Sequence, residues 1–600
     1  MNATQPIGYY VVEPVLYFVD RRNKEPLIQL FEEVRMSPSS LASARAKFTS
    51  TTLLLSLLTV FTVLLAACGG GSNPTTTNPG KKAVLNVGSH VGSDFNKAFS
   101  PLDYTVNQAD SGVLGMIYET LYFVNGIDNS SSPWLASSYK WSSDEKQLTF
   151  TLRPNVKWND GQAFTSDDVV FTFNLLKQYP AADHNSLWTI NGLTGVTAPD
   201  ANTVTLTFSH PAGPNFFYIA QVPMLPKHVF SSVGDPTKYA NENPVGTGPY
   251  KMTKYTPQLI VYDKNPSYWQ VDKIKVDEVR YPAVKDNDTL FLKMSSGQVD
   301  WAGFFAPNLD QTYVSKDPQH NHYWMIPDNE FAMYVNLQKY PLSEPAVRQA
   351  MSLALDRDQL SKQAESGYVD PASPTGAVLP NQKDYLSPDL ANVTTNPDTA
   401  KAVQLLQGAG FTKGPDGIFV DKNGKKLSFG LNVVNGWTDW EKMTTIIQQN
   451  LKAIGIDIKI NDIQENAYYD ARNNYTFDLT IGGVFTGPTP YYHFDTHLNS
   501  GNLSPKGFNW SRWKDSKTDE LLKQYATSTD PNAQKQAIYG LEKIFSDNLP
   551  YIPLVNAADW YEYSTRNFTG FASKDSQYAM GSPFKFPDNL VTITHLQPVQ

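Results

Sequence analysis

The residue with the most distinctive chemistry is Cys68, the only cysteine in the 600-residue chain. It ends the run Leu65-Ala66-Ala67-Cys68 and is followed by three glycines. A processing enzyme needs small side chains around the bond that it cleaves, and a solitary thiol cannot form a disulfide within its own chain. This arrangement predicts that Cys68 carries a lipid and anchors the protein to a membrane.

The segment before Cys68 has the organisation of a secretory signal peptide. Arg45 and Lys47 supply positive charge, and residues 53–65 form an apolar core of 13 residues, which is too short to span a bilayer of roughly 30 Å comfortably. A signal peptide of ordinary length would begin at Met36. We therefore predict that residues 1–35 are a mis-assigned N-terminal extension and that residues 36–67 are a cleaved signal peptide. A transmembrane anchor or a buried helix is the alternative interpretation.

The end of this segment resembles a bacterial lipobox, whose cysteine receives a diacylglyceryl group. One acyl chain binds a membrane only marginally, so stable anchoring requires at least two. Residues 68–82 are rich in glycine and polar residues and are predicted to be a flexible, lipid-anchored linker.

The rest of the chain lacks the local patterns of common catalytic and metal sites. It contains no His-Glu-x-x-His, Walker-type or Gly-x-Ser-x-Gly motif. His320 and His322 are spaced to share one face of a strand, but no third metal ligand is identifiable, which favours two surface histidines. We predict that the protein is not an enzyme and uses no metal or cofactor. A membrane-tethered oligosaccharide hydrolase remains an alternative, because a catalytic carboxylate pair is a spatial arrangement that the sequence does not reveal.

The composition is that of a folded globular protein. The chain is 41% apolar and 18% charged, with a formal net charge of -9, and this acidity disfavours a nucleic-acid partner. Aromatic residues are numerous, with 12 Trp, 32 Tyr and 31 Phe. They suit a cleft that binds neutral or amphipathic ligands by stacking, although core packing explains many of them equally well.

Hydrophobic periodicity predicts interspersed strands and helices, which is an α/β pattern. Strands are expected at 83–88, 148–152, 203–208 and 456–460. Helices are expected at 166–176, from Pro345 onward and at 442–452, and the apolar spacing of 111–123 is close to helical. Asp421-Lys422-Asn423-Gly424 predicts a tight turn, since Asn-Gly tolerates positive φ.

Several motifs that follow one another along residues 83–600 resemble the family 5 solute-binding proteins of ABC importers, which take up peptides, nickel or oligosaccharides. The matching stretches are Leu148–Gly161, Phe164–Val169, Pro244–Tyr250, Asn265–Trp269, Ser296–Asp300, Tyr334–Leu337, Val347–Ala350, Ala354–Arg357 and Leu549–Leu554. Each motif is more readily explained by maintenance of the fold than by contact with a ligand.

The resemblance implies a periplasmic-binding-protein-like fold of type II, with two hinged lobes and an extra subdomain in the first lobe. It also implies a monomer on the outer face of the bacterial cell membrane that binds a small solute and docks on ABC permease subunits. A receptor subunit that signals ligand occupancy would have the same sequence features. The implied boundaries are 83–125, 244–339 and 556–600 for the first lobe, 126–243 for its extra subdomain, and 340–555 for the second lobe.

The resemblance also bears on the class of solute. In the peptide-binding branch an Asp pairs with the α-amino group of the peptide, and Val484 stands at the matching position. Because a buried ammonium without a partner is costly, this replacement favours an oligosaccharide. The sequence Gly487-Pro488-Thr489-Pro490 also resembles the oligosaccharide-binding branch. Asp495 would be a substitute amine anchor, so an oligopeptide remains open.

The predicted ligand contacts are aromatic residues of the second lobe together with this carboxylate. A packed or surface aromatic ring is the alternative interpretation of each. The candidates are Phe485, Tyr491, Tyr492, Asp495, Trp510, Trp513, Trp437 and Trp440.

Overall fold

The structure is a computed structural model that describes residues 82–102, 110–379, 382–485, 487–504 and 507–599. The predictions for the N-terminal extension, the signal peptide, Cys68 and nearly all of the linker lie outside these residues. None of the helices in the described ranges combines the length and the apolar character that a membrane crossing requires.

The strands are numbered in chain order. They are β1 (Val84–Gly88), β2 (His90–Val91), β3 (Tyr122–Val124), β4 (Ser131–Pro133), β5 (Ala136–Trp141), β6 (Gln147–Leu152), β7 (Leu193–Asp200), β8 (Thr203–Phe208), β9 (Tyr250–Thr256), β10 (Leu259–Lys264), β11 (Glu278–Val284), β12 (Trp301–Ala302), β13 (Asn321–Tyr323), β14 (Ile326–Val335), β15 (Thr412–Lys413), β16 (Phe419–Val420), β17 (Ser428–Val434), β18 (Asp457–Ile463), β19 (Leu479–Val484), β20 (Tyr551–Asp559), β21 (Glu562–Ser564), β22 (Phe568–Thr569) and β23 (Gln597–Pro598).

The α-helices are numbered in the same way. They are α1 (Val113–Met116), α2 (Ser166–Gln178), α3 (Asn215–Ala220), α4 (Lys227–Phe230), α5 (Asn287–Ser295), α6 (Leu309–Thr312), α7 (Pro345–Ala354), α8 (Arg357–Gln359), α9 (Thr399–Gly408), α10 (Thr438–Ala453), α11 (Glu465–Asn473), α12 (Pro490–Leu498), α13 (Ser516–Thr527), α14 (Pro531–Asn548) and α15 (Asp588–His595).

The larger strands form three sheets. The first has the order β13-β21-β12-β1-β11-β10-β9, with β2 also paired to β11, and the second has the order β18-β17-β19-β14-β20. The third has the order β5-β6-β8-β7. Parallel pairs such as β1 with β11 and β17 with β18 occur beside antiparallel pairs such as β14 with β20. The predicted α/β class is therefore confirmed.

We call the region around the first and third sheets the first lobe and the region around the second sheet the second lobe. The chain passes between the lobes along the antiparallel strands β14 and β20, which pair from Ile326 opposite Asp559 to Tyr334 opposite Tyr551. Strand β14 lies in the second sheet and precedes the predicted lobe boundary at residue 340. These two adjacent strands are the natural place for a hinge.

The motifs that resemble the solute-binding family build the scaffold. Glu119 is buried and accepts hydrogen bonds from Trp134 Nε1 (2.6 Å), Tyr268 Oη (2.8 Å) and Trp269 Nε1 (3.2 Å). Burial raises the pKa of Glu119 to about 7. The Asn265–Trp269 motif thus satisfies a carboxyl group that would be costly to bury alone.

The glycines of the Pro244–Tyr250 motif allow a close approach of two backbones. A β-carbon built on Gly246 or Gly248 would collide with the carbonyl oxygen of Ile117. Gly248 N–H donates to that carbonyl at 2.8 Å, and Asn159 N–H donates to the Gly246 carbonyl at 2.8 Å. These contacts join the motif to the Trp158-Asn159 turn, which accounts for the spacing of small residues.

Most of the predicted elements are confirmed, and one is wrong. The expected helix over 111–123 is reduced to α1, because Gly112 and Gly115 take φ of 77° and 100°. A β-carbon at Gly115 would also collide with the side chain of Asn589. The apolar spacing of this segment serves a buried irregular loop rather than a helix face.

Candidate functional site

The two lobes contact each other first through the loop after β2 and the helices α10 and α11. Ser93 Oγ donates to Glu465 Oε2 at 2.6 Å, and Trp437 Nε1 donates to the carbonyl of Val91 at 3.1 Å. Asn287 N–H donates to the carbonyl of Gly436 at 3.2 Å. Helix α11 therefore begins against the first lobe.

The second contact joins the region around the third sheet to helix α12 and the loop after it. Tyr218 Oη donates to Asp495 Oδ2 at 2.9 Å, and Tyr492 Oη donates to the carbonyl of Pro214 at 2.9 Å. Ser186 Oγ donates to Asn502 Oδ1 at 2.6 Å. The two lobes thus contact each other at two separate places. Such contacts are expected when the cleft between two lobes is closed.

The face of α11 that meets the first lobe carries further polar residues. Glu465, Tyr469 and Arg472 occupy positions i, i+4 and i+7, which share one face of an α-helix. The Arg472 guanidinium lies 4.0 Å from the ring centroid of Trp510 and 4.8 Å from that of Tyr469. This face forms an aromatic and cationic wall of the second lobe.

Phe485 is held beside this wall by His497. Phe485 N–H donates to His497 Nε2 at 2.9 Å, and the two rings stack with centroids 5.9 Å apart at 11°. His497 Nδ1 lies 3.0 Å from the carbonyl of Phe508, so this nitrogen carries the proton and the imidazole is neutral. Phe485 is 46% exposed, and the centroid of its ring is 6.0 Å from that of Trp510.

Burial shifts the pKa of the carboxyl groups at both lobe contacts. It raises the pKa of Glu465 to about 7, against the opposing effect of the hydrogen bond from Ser93. It raises the pKa of Asp495 to about 6, although Asn499 and Tyr218 donate to its two oxygens. Burial also raises the pKa of Tyr469, helped by the nearby charges of Glu465 and Asp110. The charged forms of these carboxyls are disfavoured where the lobes meet.

The structure places seven of the eight predicted contact residues in three groups. Phe485 and Trp510 lie together, and Trp510 is 2% exposed because Arg472 and neighbouring rings cover it. Trp437 and Trp440 pack edge to face at 4.7 Å beside the first lobe contact. The third group, Tyr491, Tyr492 and Asp495, lies on α12 and is buried.

Of these predicted residues, Phe485 is the one with an exposed ring. Trp513 is half-buried, and its Nε1 donates to Thr518 Oγ1 at 3.1 Å. Tyr491 stacks on Tyr525 at 4.3 Å. Val484 is 1% exposed in β19 and supplies no charge. The roles of the eight predicted contact residues in ligand binding stay predictions.

Sequence reasoning did not single out Glu465, Arg472 or His497. The i, i+4, i+7 spacing of Glu465, Tyr469 and Arg472 was a readable signal for a shared helix face. No comparable pattern in the sequence indicated His497, whose partners are two backbone groups and the hydroxyl of Tyr334 at 3.3 Å.

Comparison with known proteins agrees with this architecture. Residues 131–504 match the family model described as bacterial extracellular solute-binding proteins, family 5 Middle. The oligopeptide-binding protein AppA of Bacillus subtilis is 27% identical over 471 residues, which cover 75% of this chain and 82% of AppA.

Solved structures are similar over nearly their whole length. The mannohexaose-bound periplasmic oligopeptide-binding protein of Thermotoga maritima is 25% identical with a TM-score of 0.79, over 86% of this chain and 99% of that one. AppA bound to a nonapeptide is 22% identical with a TM-score of 0.73, over 86% and 99% of the two chains. The chain belongs to the bacterial extracellular solute-binding proteins of family 5.

Proposed function

We propose that this protein is the solute-binding subunit of an ABC importer and captures an oligopeptide or an oligosaccharide in the cleft between its lobes. The observation that carries the proposal is the exposed ring of Phe485 beside the wall formed by α11 and Trp510. An exposed aromatic ring fixed by a hydrogen bond and a stacked imidazole is a preorganised surface for a flat ligand face.

The named relatives support both ligand classes. AppA is named for oligopeptides, and the Thermotoga protein is described with mannohexaose bound. Val484 supplies no carboxylate for an amine, and both oxygens of Asp495 already accept hydrogen bonds. These features favour an oligosaccharide over a peptide with a free amino terminus.

The experiment is native mass spectrometry of the protein purified from its own cells, followed by melting-temperature measurements with di- to hexapeptides and β-linked oligosaccharides. We expect at least one oligosaccharide series to raise the melting temperature, since a ligand that binds only the folded state stabilises it. A rise with peptides alone would contradict the sugar preference and leave the importer role intact. No rise with any oligomer, and no copurified solute, would contradict the proposed function.

The variant Phe485→Ala tests whether the ring of Phe485 contributes to ligand binding. We expect this variant to bind the stabilising oligomer about fivefold more weakly, because a ring contact contributes on the order of 1 kcal/mol. Leu292→Ala is the matched control, since Leu292 is also an exposed apolar residue but lies on α5 of the first lobe. Equal affinities of the two variants would remove Phe485 from the site.

The proposal includes a lipid anchor on Cys68 that keeps the protein at the outer face of the membrane. We expect Cys68→Ser to move the protein from the membrane fraction to the soluble fraction, because the acyl chains supply the membrane affinity. A Ser variant that stays in the membrane fraction would show that the tether is not Cys68.

A further inference from the structure

The two strands that connect the lobes are held at their first-lobe ends by one segment of the chain. The register between β14 and β20 shifts at Asp328, which forms a β-bulge there. Lys585 Nζ donates to Asp328 Oδ2, and the Asp328 side chain is 8% exposed. On β20, Asp559 is buried, and its Oδ2 accepts a hydrogen bond from Ser582 N–H at 3.1 Å. Residues 582–585 therefore contact both strands.

This segment moves with the first lobe, because contacts on both sides attach it there. The carbonyl of Gly581 accepts a hydrogen bond from Trp301 Nε1 at 2.7 Å, and Trp301 lies on β12 of the first sheet. On the other side, Asn589 on α15 donates through Nδ2 to the carbonyl of Leu114 at 3.0 Å. The segment that contacts β14 and β20 is thus a fixed part of the first lobe.

Lys585 is the cation of a cluster of buried carboxyl groups. The carboxyl groups whose charges act on it are Asp328, Asp559 and Asp588. Burial lowers the pKa of Lys585, but the charges of these three groups outweigh this effect and raise the pKa above its ordinary value. A buried ion pair is costly to separate, because each ion would lose its compensating charge. Lys585 is therefore a strong link between the first lobe and the bulge in β14.

The second lobe holds the same two strands a few residues further along. The pairing of β14 with β19 begins at Glu330, which lies opposite Val484. On β20, Asn556 N–H donates to the carbonyl of Asp370 at 2.8 Å. Asn556 Nδ2 also donates to the carbonyl of Leu379 at 2.5 Å. Each strand is therefore attached to the second lobe within three residues of its attachment to the first lobe.

Only one or two residues of each strand lie between these two sets of contacts. They are Asn329 on β14 and Ala557 and Ala558 on β20, and Asn329 lies opposite Ala557. A hinge consists of a few residues that absorb the change in backbone angles between two rigid bodies. We propose that the lobes turn about these three residues, and that Lys585 confines the turn to them by holding the first-lobe ends of both strands.

The inference goes beyond the proposed function and rests on it only in assuming that the lobes separate when no solute is bound. Its test measures the spread of distances between the lobes in the solute-free protein. Fluorophores on Leu292→Cys and Lys517→Cys, introduced into Cys68→Ser, report this distance by single-molecule energy transfer. Both sites are exposed, on α5 of the first lobe and α13 of the second.

The variant that removes the link combines Lys585→Met with Asp328→Asn, so that both members of the ion pair become neutral and no buried charge is left alone. We expect the distribution of distances in the solute-free protein to widen about twofold, because strand residues next to the hinge gain conformational freedom. Lys339→Met combined with Asp478→Asn is the matched control. It removes an ion pair of the second lobe and should leave the distribution as in the wild type.

A second pair of variants tests the hinge without changing a charge. Ala558→Gly loosens the backbone at the proposed hinge and should also widen the distribution. Ala332→Gly makes the same change in β14 beyond the hinge, where β14 is paired with β19 on one side and β20 on the other. This control should keep the wild-type distribution. Circular dichroism melting confirms that each variant is folded.

The outcomes distinguish the parts of the proposal. Equal distributions in Ala558→Gly and Ala332→Gly would overturn the position of the hinge. A wild-type distribution in the variant that combines Lys585→Met with Asp328→Asn would overturn the role of Lys585. Both results would leave the importer proposal standing, since that proposal fails only when no oligomer of the panel binds.

Discussion

The imidazole of His497 determines where the exposed ring of Phe485 lies. It accepts a hydrogen bond from Phe485 N–H on Nε2 and donates one from Nδ1 to the carbonyl of Phe508. The bond accepted by Nε2 requires the neutral form, because a protonated Nε2 has no free lone pair, and burial lowers the pKa of His497 to about 3. The His497 side chain therefore positions Phe485 while it stays neutral above about pH 4.

This arrangement predicts a pH dependence of folding. The unfolded chain protonates His497 below about pH 6.5 whereas the folded chain does not, so the free energy of unfolding should fall as the pH drops from 6.5 toward 3. In His497→Gln this slope should be smaller by up to about 1.4 kcal/mol per pH unit. Urea unfolding at several pH values between 7 and 4 measures it.

The control for this prediction is His322→Gln, because the ring of His322 lies at the surface near Thr565. We expect that control to follow the wild-type slope. A slope in His497→Gln that equals the wild-type slope would mean that the folded protein does protonate His497.

At the scale of single elements, hydrophobic periodicity predicted the helices and strands whose formation depends on local interactions. The alternating segments became β6 and β8, and the capped and apolar-striped segments became α2, α7 and α10. The helix predicted over 111–123 was wrong, because two glycines with positive φ interrupt it. The wall formed by α11 could not be predicted in full from the sequence. Ser93 and Glu465 are 372 residues apart in the chain, and contacts between residues so far apart depend on the tertiary fold.

Helices α7 and α14 depend on one buried arginine. Arg348 on α7 donates to the carbonyls of Leu342 (2.8 Å), Asn548 (2.7 Å) and Leu549 (3.0 Å). Asn548 and Leu549 end α14, where carbonyl groups have no partner within the helix. A motif shared with the solute-binding family thus fixes the position of the last helix before β20.

We expect Arg348→Met to lower the free energy of unfolding by about 2–4 kcal/mol, because it leaves buried carbonyls without donors. Lys543→Met on α14 removes an exposed ion pair with Asp547 and should leave the free energy of unfolding nearly unchanged, because water screens exposed pairs. Urea unfolding with the m-value checked gives both numbers. Similar losses in the two variants would show that the carbonyls find other donors.

At the scale of the whole molecule, the two contacts between the lobes make closure depend on the protonation of two carboxyl groups. Glu465 meets Ser93 near Tyr469, and Asp495 meets Tyr218 near Tyr491. Both carboxyls have pKa values that burial raises, to about 7 and about 6. When the lobes separate, both carboxyls enter water and return toward ordinary values, so the closed form binds more protons than the open form near neutral pH.

We therefore expect the closed form to be more populated at pH 5 than at pH 8. The stabilisation is fully present below the open-form pKa values of about 4 and is lost as the pH rises through 6 to 7, where the closed-form carboxyls ionise. Fluorophores on Leu292→Cys and Lys517→Cys, introduced into Cys68→Ser, report the distance between the lobes, since both sites are exposed. We expect energy transfer to fall from pH 5 to pH 8 in the ligand-free protein.

Glu465→Gln and Asp495→Asn together should abolish this dependence and keep high energy transfer at pH 8, because each amide remains neutral and still accepts the hydrogen bond of its hydroxyl partner. Asp547→Asn, an exposed carboxylate on α14, should leave the wild-type response unchanged. Energy transfer that is the same at both pH values in the wild type would mean that these carboxyls stay buried when the solute is absent. The lobes would then open elsewhere than at Glu465 and Asp495.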